Sequence, residues 1–264
     1  GACSTCFGTQ SVNPGLVPNA VLDHFRRTER AATQKAAFVH LKAGGSPTLS
    51  RSRAAAARKR GYRVVYESGI DVSEFNYTPY VQEMKRHGVR FVDVLGAYPQ
   101  ALRLADAMQQ QGFEPDVFEL HQPMYDSRFI EEGGDAVEGS RVFISTAMFE
   151  QARSNREMQL YEQWLQQVKP GAKPTPFGVY AWSATRLFVE QSIKLGGRLS
   201  RDQLVAAVRG THSWTGNGIH APQDPGGKRT GECQSVVKVQ NGAFVKESPG
   251  SFLCSGLTNT GIGG

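Results

Sequence analysis

The sequence predicts an α/β fold built on a doubly wound parallel sheet. Short apolar runs alternate with amphipathic stretches of helical length through the first half of the chain. The apolar runs are residues 36–41, 62–66, 90–95 and 116–120, and the helical stretches between them are residues 50–60, 77–87 and 99–111. Strands that alternate with helices in this way are joined by right-handed crossovers, so the strands lie parallel in one sheet with helices on both faces.

Glycine marks the end of each predicted helix. Gly61, Gly88 and Gly112 each follow a helical stretch directly. Because glycine has no Cβ, it adopts the left-handed conformation that ends a helix at little cost. Leu104 and Met108 lie at helical spacing, as the buried face of a helix requires. The helix predictions therefore rest on both an apolar face and a stop signal.

The second half of the chain has a different pattern, in which long helical stretches follow one another without apolar runs between them. A strand is predicted at residues 141–147. Three helices follow it, at residues 156–168, 177–195 and 200–209, the last with Ser200 as its N-cap. Their apolar faces need a sheet to cover them.

Two short strands are predicted near the end of the chain, at residues 235–239 and 243–247. Asn241 and Gly242 form the two-residue turn between them, which is a strong sequence signal for a β-hairpin. The glycine-rich residues 255–264 that follow are predicted to be disordered.

The composition is that of a globular protein and argues against two classes of partner. Of 264 residues, 39% are hydrophobic and 20% are charged. The longest apolar stretches, such as residues 89–98, are well short of the ~20 residues of a membrane helix. The formal charge of +6 could attract nucleic acid, but the basic residues are dispersed except within residues 51–60. That cluster is typical of a solvated helix face and lacks interleaved aromatic residues, so no nucleic acid partner is predicted.

Catalytic and cofactor motifs are weak in this sequence. Residues 216–221 match GxGxxA, but no predicted strand precedes them and no helix follows, so they indicate a turn. Residues 44–46, Gly-Gly-Ser, follow the first apolar run and could hold an anion, but they lack the GK[ST] of a P-loop. Of the 6 histidines only His121 follows a predicted strand, where a hydrogen-bonded structural role is favoured. We expect no catalytic residue, no metal and no cofactor.

The 4 cysteines lie at the two ends of the chain, which favours an oxidising compartment. Cys3 and Cys6 have the spacing of a thioredoxin or zinc motif. No strand precedes them and no second CxxC follows, so neither reading is favoured, and their pairing is left open.

A disulfide between Cys233 and Cys254 is predicted from the hairpin. With a two-residue turn at residues 241–242, Cys233 falls opposite Gly250, and the bend at residues 249–250 lets the chain return toward Cys233. Closing a loop of about 20 residues stabilises the fold by roughly 3 kcal/mol in the chain-entropy model.

Five segments together resemble the branched-chain amino-acid-type substrate-binding proteins of ABC importers, which have the type I periplasmic binding fold. The most specific is Phe75-Asn76-Tyr77-Thr78-Pro79-Tyr80, continued to Lys85; the others are residues 112–116, 126–130, 134–139 and 180–184. They occur in the order of the family, and the resemblance runs from about residue 36 to residue 254. It implies the doubly wound sheet of lobe two together with the helical remainder of lobe one.

The resemblance also exposes a departure, because members of the family begin with a half-lobe that this chain lacks. It implies the following division: residues 1–35, inter-lobe crossover and first helix; 36–150, lobe two; 151–230, helical remainder of lobe one; 231–254, C-terminal hairpin returning to lobe two; 255–264, tail. A shortened piece of a longer protein and a true short variant are both compatible with the sequence. In either case the apolar faces around Tyr180, Leu187 and Phe188 are expected to lack their sheet.

The function that the resemblance implies is that of an extracytoplasmic solute-binding protein, not an enzyme. It would bind an amino acid, an amide or a related metabolite between its lobes and deliver it to a membrane permease. Its place would be the periplasm or the cell surface, with a lipid anchor as one option. A ligand-sensing domain of a receptor or regulator with the same fold is an alternative. An α/β enzyme with residues 44–46 as a phosphate cradle is a second.

Four residues are candidates for the ligand site. In a doubly wound sheet the ligand lies beyond the carboxyl ends of the strands, where the loops converge. The resemblance places Ser46, Tyr98 and Gln122 at ligand positions, and Tyr125 with Met124 could line the same cleft. Gln122 stands where amino-acid binders carry an acidic residue against the ligand ammonium. An amide cannot form that ion pair, so a small, polar, uncharged or anionic solute is expected.

Overall fold

The computed structural model describes residues 3–10 and 12–263. The chain divides into two compact units. Unit 1 consists of Gly1–Asn13 and Ser145–Cys233, and unit 2 consists of Pro14–Ile144 and Gln234–Gly264.

Unit 2 contains a mixed main sheet of eight strands and a separate sheet of two strands. In chain order its strands are β1 (Leu16–Pro18), β2 (Ala36–Leu41), β3 (Val64–Ile70), β4 (Phe91–Leu95), β5 (Val117–Leu120), β6 (Arg141–Ile144), β7 (Cys233–Gln240), β8 (Ala243–Lys246), β9 (Leu253–Cys254) and β10 (Leu257–Asn259). The main sheet has the order β3-β2-β4-β5-β6-β7-β8, and β9 pairs with β7. Strands β2 to β6 pair in parallel, whereas β7 and β8 are antiparallel. The α/β fold predicted from the alternating pattern is confirmed.

The helices of unit 2 are α1 (Ala20–Thr28), α2 (Arg30–Thr33), α3 (Ser46–Lys59), α4 (Thr78–Arg86), α5 (Tyr98–Gln110) and α6 (Ser127–Gly133). Helix α3 begins four residues earlier than predicted, with Pro47 in its first turn, where a missing N–H costs nothing. The three glycines predicted to end helices all have positive φ, at +87° for Gly61, +62° for Gly88 and +54° for Gly112.

The core of unit 2 lies between the sheet and helices α1 and α3. Phe25, Phe38 and Phe91 are fully buried there, together with three alanines of α3. The rings of Phe25 and Phe91 meet edge to face with centroids 5.5 Å apart, a geometry that aromatic pairs favour. Small side chains on α3 let the helix approach the sheet closely.

The C-terminal tail differs from its prediction. Residues 257–259 form strand β10, which pairs antiparallel with β1. Thr258 donates a hydrogen bond to Asn19 (Oγ1 to Oδ1, 2.6 Å), and the hydroxyls of Thr260 and Ser52 lie 2.7 Å apart. The tail is ordered because β1 and the surface of α3 satisfy its polar groups, a pairing that glycine content alone does not reveal.

Unit 1 contains the helices α7 (Arg156–Val168), α8 (Pro176–Leu195) and α9 (Arg201–Arg209). Side-chain caps begin all three. Asn155 accepts from the N–H of Met158, Thr175 from that of Gly178 and Ser200 from that of Gln203. These helices agree with the predicted ones, because each has both an apolar face and a capping residue.

The expected exposure of apolar side chains in unit 1 holds for some residues and not for others. Phe188 is 54% exposed, and Ile193 on the same helix is 74% exposed. Leu187 is buried instead, packed with Val208 and Trp214. Tyr180 is half-buried, and its ring stacks on His220. Unit 1 therefore has a small core of its own and leaves the outer part of the α8 surface uncovered.

Candidate ligand site at the carboxyl edge of the sheet

Three of the predicted ligand residues lie at one edge of the unit 2 sheet. Ser46, Tyr98 and Gln122 follow β2, β4 and β5 respectively, and these strands are neighbours in parallel register. Adjacent strands are about 4.8 Å apart, so the three chain segments leave the sheet within a span of about 10 Å. Gln122 lies in a 3-10 helix, Gln122–Met124, which packs against α5, the helix that Tyr98 begins.

Tyr98 is held in place by helix α6. The guanidinium of Arg128 lies over its ring, 4.8 Å from the centroid, and the hydroxyl donates a long hydrogen bond of 3.5 Å to Glu132 Oε1. The ring is half-buried, so one part of it stays open to a ligand. Tyr98 thus packs on α6, in an arrangement that combines a fixed position with an accessible aromatic surface.

Asp126 fixes the Arg128 side chain. Arg128 donates from Nε to Oδ1 (2.9 Å) and from Nη2 to Oδ2 (2.6 Å), and its backbone N–H also donates to Oδ1 (3.0 Å), which caps α6. This bidentate ion pair raises the pKa of Arg128. The side chain is 53% exposed, so a positive group in a fixed orientation stands beside Tyr98. Arg128 was not among the predicted site residues, although the Asp-x-Arg spacing of residues 126–128 is a signal for an arginine paired with a capping aspartate.

Gln122 and Ser46 differ in their accessibility. Gln122 is buried, with 6% of its surface exposed, whereas Ser46 is half-buried at the first turn of α3. Gly44, with φ +51°, turns the chain from β2 into that helix. The edge therefore has a partly exposed hydroxyl and a partly exposed aromatic ring, with a nearly buried amide beside them.

Tyr125 does not fit its predicted role. Its side chain is fully buried and meets the ring of Phe244 edge to face, with centroids 4.8 Å apart. Met124 is fully buried as well. The turn after β5 points these two side chains into the core, so they support the edge and have no surface with which to contact a solute.

A buried ionic cluster lies on β4 and β5 just before this edge. Asp93 and Glu119 are opposite each other in register, and both have no exposed surface. Arg53 of α3 donates to both, from Nε to Asp93 (2.6 Å) and from Nη2 to Glu119 (2.5 Å). His121 Nε2 lies 3.1 Å from the other oxygen of Asp93, which agrees with the structural role expected for this histidine. Charged residues inside otherwise apolar strand runs were the sequence signal for this cluster.

The cluster has one guanidinium for two carboxyl groups, and their pKa values separate accordingly. Burial raises the pKa of Glu119 to about 8, although Arg53 works in the opposite direction. His121 and Arg53 hold the pKa of Asp93 low, at about 2, against the effect of burial. Burial lowers the pKa of His121. At neutral pH the cluster is therefore neutral overall, with Asp93 charged against Arg53 and a proton on Glu119.

Unit 1 contains a contact between Ser183 and His220 that resembles part of a catalytic triad. Ser183 Oγ lies 2.5 Å from Nε2, and Gln10 Nε2 lies 3.0 Å from Nδ1. Ser183 and His220 are almost completely buried, and burial lowers the pKa of His220 to about 4. An amide stands where a triad has a carboxylate. Through His220, these hydrogen bonds connect Gln10 of the N-terminal segment to Ser183 of α8.

The cysteines are oxidised. Cys3 forms a disulfide with Cys6, and Cys233 and Cys254 are each disulfide-bonded as well. Among residues 3–10 and 12–263, no group of three or more His, Cys, Asp or Glu is placed to hold a metal ion. None of the helices in the described part of the chain is long and apolar enough to cross a membrane.

Comparison with known proteins defines the family. The profile described as "Periplasmic binding protein" matches residues 7–243. The chain therefore belongs to the periplasmic binding protein family, whose members bind substrates rather than transform them. No curated protein sequence matches the chain significantly.

Solved structures support the same fold. An extracellular ligand-binding receptor from Rhodopseudomonas palustris has a TM-score of 0.71 at 18% identity, over 87% of this chain and 66% of its own. A leucine-binding protein from Thermotoga maritima has a TM-score of 0.73 at 17% identity, over 93% and 67%. A fatty acid ABC transporter substrate-binding protein from Thermomonospora curvata has a TM-score of 0.75 at 14% identity, over 96% and 67%.

The profile match confirms the family resemblance, and the solved structures confirm the fold. They also show that the chain spans about two thirds of the length of the proteins it matches.

Proposed function

We propose that this chain is part of an extracytoplasmic solute-binding protein that delivers a small organic solute to an ABC permease. Its membership of the periplasmic binding protein family supports this proposal. So does its likeness in fold to a fatty acid ABC transporter substrate-binding protein. Disulfide-bonded cysteines are consistent with a compartment outside the cytoplasm.

The proposed ligand site is the edge formed by Ser46, Tyr98 and Gln122, to which we add Arg128. The observation that carries it is the half-exposed Tyr98 ring, fixed by Arg128 next to the 3-10 helix that contains Gln122. Aromatic rings with a few convergent polar groups are the usual lining of small-molecule sites.

The chemistry of the edge indicates the class of solute. The nearly buried side chain of Gln122 is an uncharged amide, Ser46 has a hydroxyl, and Arg128 has a partly exposed positive charge. Asp126 is engaged by Arg128, and Glu132 is exposed at the rim, where water screens its charge. A polar solute that is uncharged or anionic suits these groups better than a cationic one.

The test is a binding screen with a matched variant. Calorimetry and ligand-observed NMR would compare leucine, 4-methylpentanoate and 4-methylpentanamide, which share a carbon skeleton and differ in charge. Tyr98→Ala is expected to weaken binding of the preferred probe at least several-fold, because it removes the aromatic surface. Tyr66→Ala is the control, since Tyr66 is also half-buried but stacks on His87 at the edge strand β3. Equal affinity of Tyr98→Ala and the unmodified chain would contradict the site.

A further inference from the structure

The turn closed by Cys3 and Cys6 is an exposed disulfide. The two cysteines enclose only Ser4 and Thr5, and all four residues are exposed. The N–H of Cys6 points back to the carbonyl oxygen of Cys3 at 3.5 Å, so the backbone forms a tight turn. A disulfide in such a position is accessible to an attacking thiolate, which a buried structural disulfide is not.

Two positive side chains from later in unit 1 bind this turn. Lys228 Nζ donates to the carbonyl oxygen of Cys3 (2.7 Å), and Arg209 Nη2 donates to that of Ser4 (3.3 Å). Positive charge next to a cysteine stabilises its thiolate and makes that sulfur a better leaving group. Lys228 binds the carbonyl oxygen of Cys3 itself and neither cation binds Cys6, so Cys3 is the sulfur favoured to leave.

We propose that Cys3 and Cys6 form a reversible thiol–disulfide exchange site that accepts electrons from a dithiol. A thiolate of the dithiol attacks Cys6 Sγ, the bond between the two sulfurs breaks, and Cys3 leaves as a thiolate beside Lys228 and Arg209. The second thiol of the reductant, as thiolate, then attacks its own sulfur in the mixed disulfide and releases Cys6. The reductant becomes a disulfide, and its two electrons and two protons end on Cys3 and Cys6.

The site is connected to an apolar groove in the same unit. Thr5, inside the turn, and Phe7, just after it, line a groove of about 220 Å³ together with Leu187, Leu204 and Val208 of helices α8 and α9. Phe7 also packs against the cluster that contains Leu187 and Trp214. The disulfide restrains the segment that contains Thr5 and Phe7. Its reduction should release this segment and so open the groove.

The first test is a redox titration of the whole chain. The protein is equilibrated with defined ratios of reduced and oxidised dithiothreitol, the free thiols are trapped by alkylation, and the peptides are identified by mass spectrometry. Cys3 and Cys6 are expected to become alkylated at lower reducing strength than Cys233 and Cys254, of which Cys233 is buried. If Cys3 and Cys6 are instead the more resistant pair, the proposal is overturned.

The second test asks whether the positive charges matter. Lys228→Gln is expected to shift the equilibrium several-fold toward the disulfide and to slow reduction. Lys169→Gln, an exposed lysine elsewhere in unit 1, should leave both unchanged. Lys228 has φ +51°, and glutamine is as strained there as lysine, so the comparison is fair. An unchanged equilibrium in Lys228→Gln would refute the role of the cations. A hydrophobic dye reports on the groove, and dye binding that does not change when the Cys3–Cys6 disulfide is reduced would refute the claim that the disulfide controls access to the groove.

Discussion

Asp93 and Glu119 lie opposite each other on neighbouring strands and share a single guanidinium, that of Arg53. Two carboxylates without exposed surface cannot both be charged against one cation at low cost. Arg53 and His121 keep Asp93 ionised, so Glu119 is the group that retains its proton. One oxygen of Glu119 has no hydrogen-bond partner among the residues that the structure describes.

This arrangement predicts a pH dependence of stability. The raised pKa of Glu119 means that the folded chain holds a proton between pH 4.5 and about 8 that the unfolded chain has lost. Stability from this group is therefore present at low pH and falls as pH rises through that window, by up to about 1.4 kcal/mol per pH unit. The low pKa of Asp93 matters at acidic pH. The stability that its charged form contributes is lost as the pH falls from 3.8 toward 2.

Glu119→Gln tests this prediction, because its amide cannot ionise. Urea unfolding at pH 5 and at pH 8 should show a smaller loss of stability in this variant than in the unmodified chain. Contributions from the buried histidines are shared by both proteins and largely cancel in the difference. Glu83→Gln is the control, since Glu83 is exposed and Arg86 lowers its pKa. Equal slopes in Glu119→Gln and the unmodified chain would contradict a protonated Glu119.

The identity of residue 122 is predicted to set the preference for solute charge. Gln122→Glu places a carboxylate at the edge of the sheet, so leucine should gain affinity relative to 4-methylpentanoate by several-fold, because only leucine carries an ammonium group. Gln110→Glu, an exposed change at the far end of α5, should leave the ratio unchanged. Circular dichroism checks that the buried substitution still folds. A ratio that does not move in the folded Gln122→Glu variant would exclude Gln122 from the site.

Cys233 and Cys254 are predicted to be bonded to each other. Both are disulfide-bonded, Cys3 is bonded to Cys6, and β9, which contains Cys254, pairs with β7, which begins at Cys233. Digestion without reduction should yield one peptide pair that joins residues 233 and 254. Replacing both cysteines by serine should cost about 2 to 4 kcal/mol of unfolding free energy. Recovery of both cysteines as free thiols from the unreduced, denatured chain would disprove the pairing.

The uncovered surface of α8 is predicted to bind hydrophobic dyes. Phe177, Phe188 and Ile193 are each more than half exposed, and exposed apolar surface promotes association. Phe188→Ser should lower dye fluorescence and reduce any concentration-dependent association seen by sedimentation. Phe75→Ser is the control, because Phe75 is 76% exposed in unit 2 and lies under Arg103. A compact monomer that binds no dye would mean that these side chains are covered in solution.

The sequence by itself determined the alternating strands and helices of residues 36–120 and predicted where the candidate site lies. Apolar alternation and the glycines at 61, 88 and 112 act over a few residues, so they can be read without the fold. Parallel strands end at one edge of a sheet, so the sequence also predicted that Ser46, Tyr98 and Gln122 lie near one another, and the strands that precede them are neighbours.

Only the tertiary structure decided which side chains are accessible and which charges meet. Tyr125 is adjacent to the site in sequence, but Phe244, more than a hundred residues later, covers it. Arg53, Asp93 and Glu119 come from three separate elements, and the order of Leu257–Asn259 depends on pairing with Leu16–Pro18. Such contacts join residues far apart in the chain, and no local pattern specifies them. Local propensity therefore determined the elements, and long-range packing determined what each side chain can do.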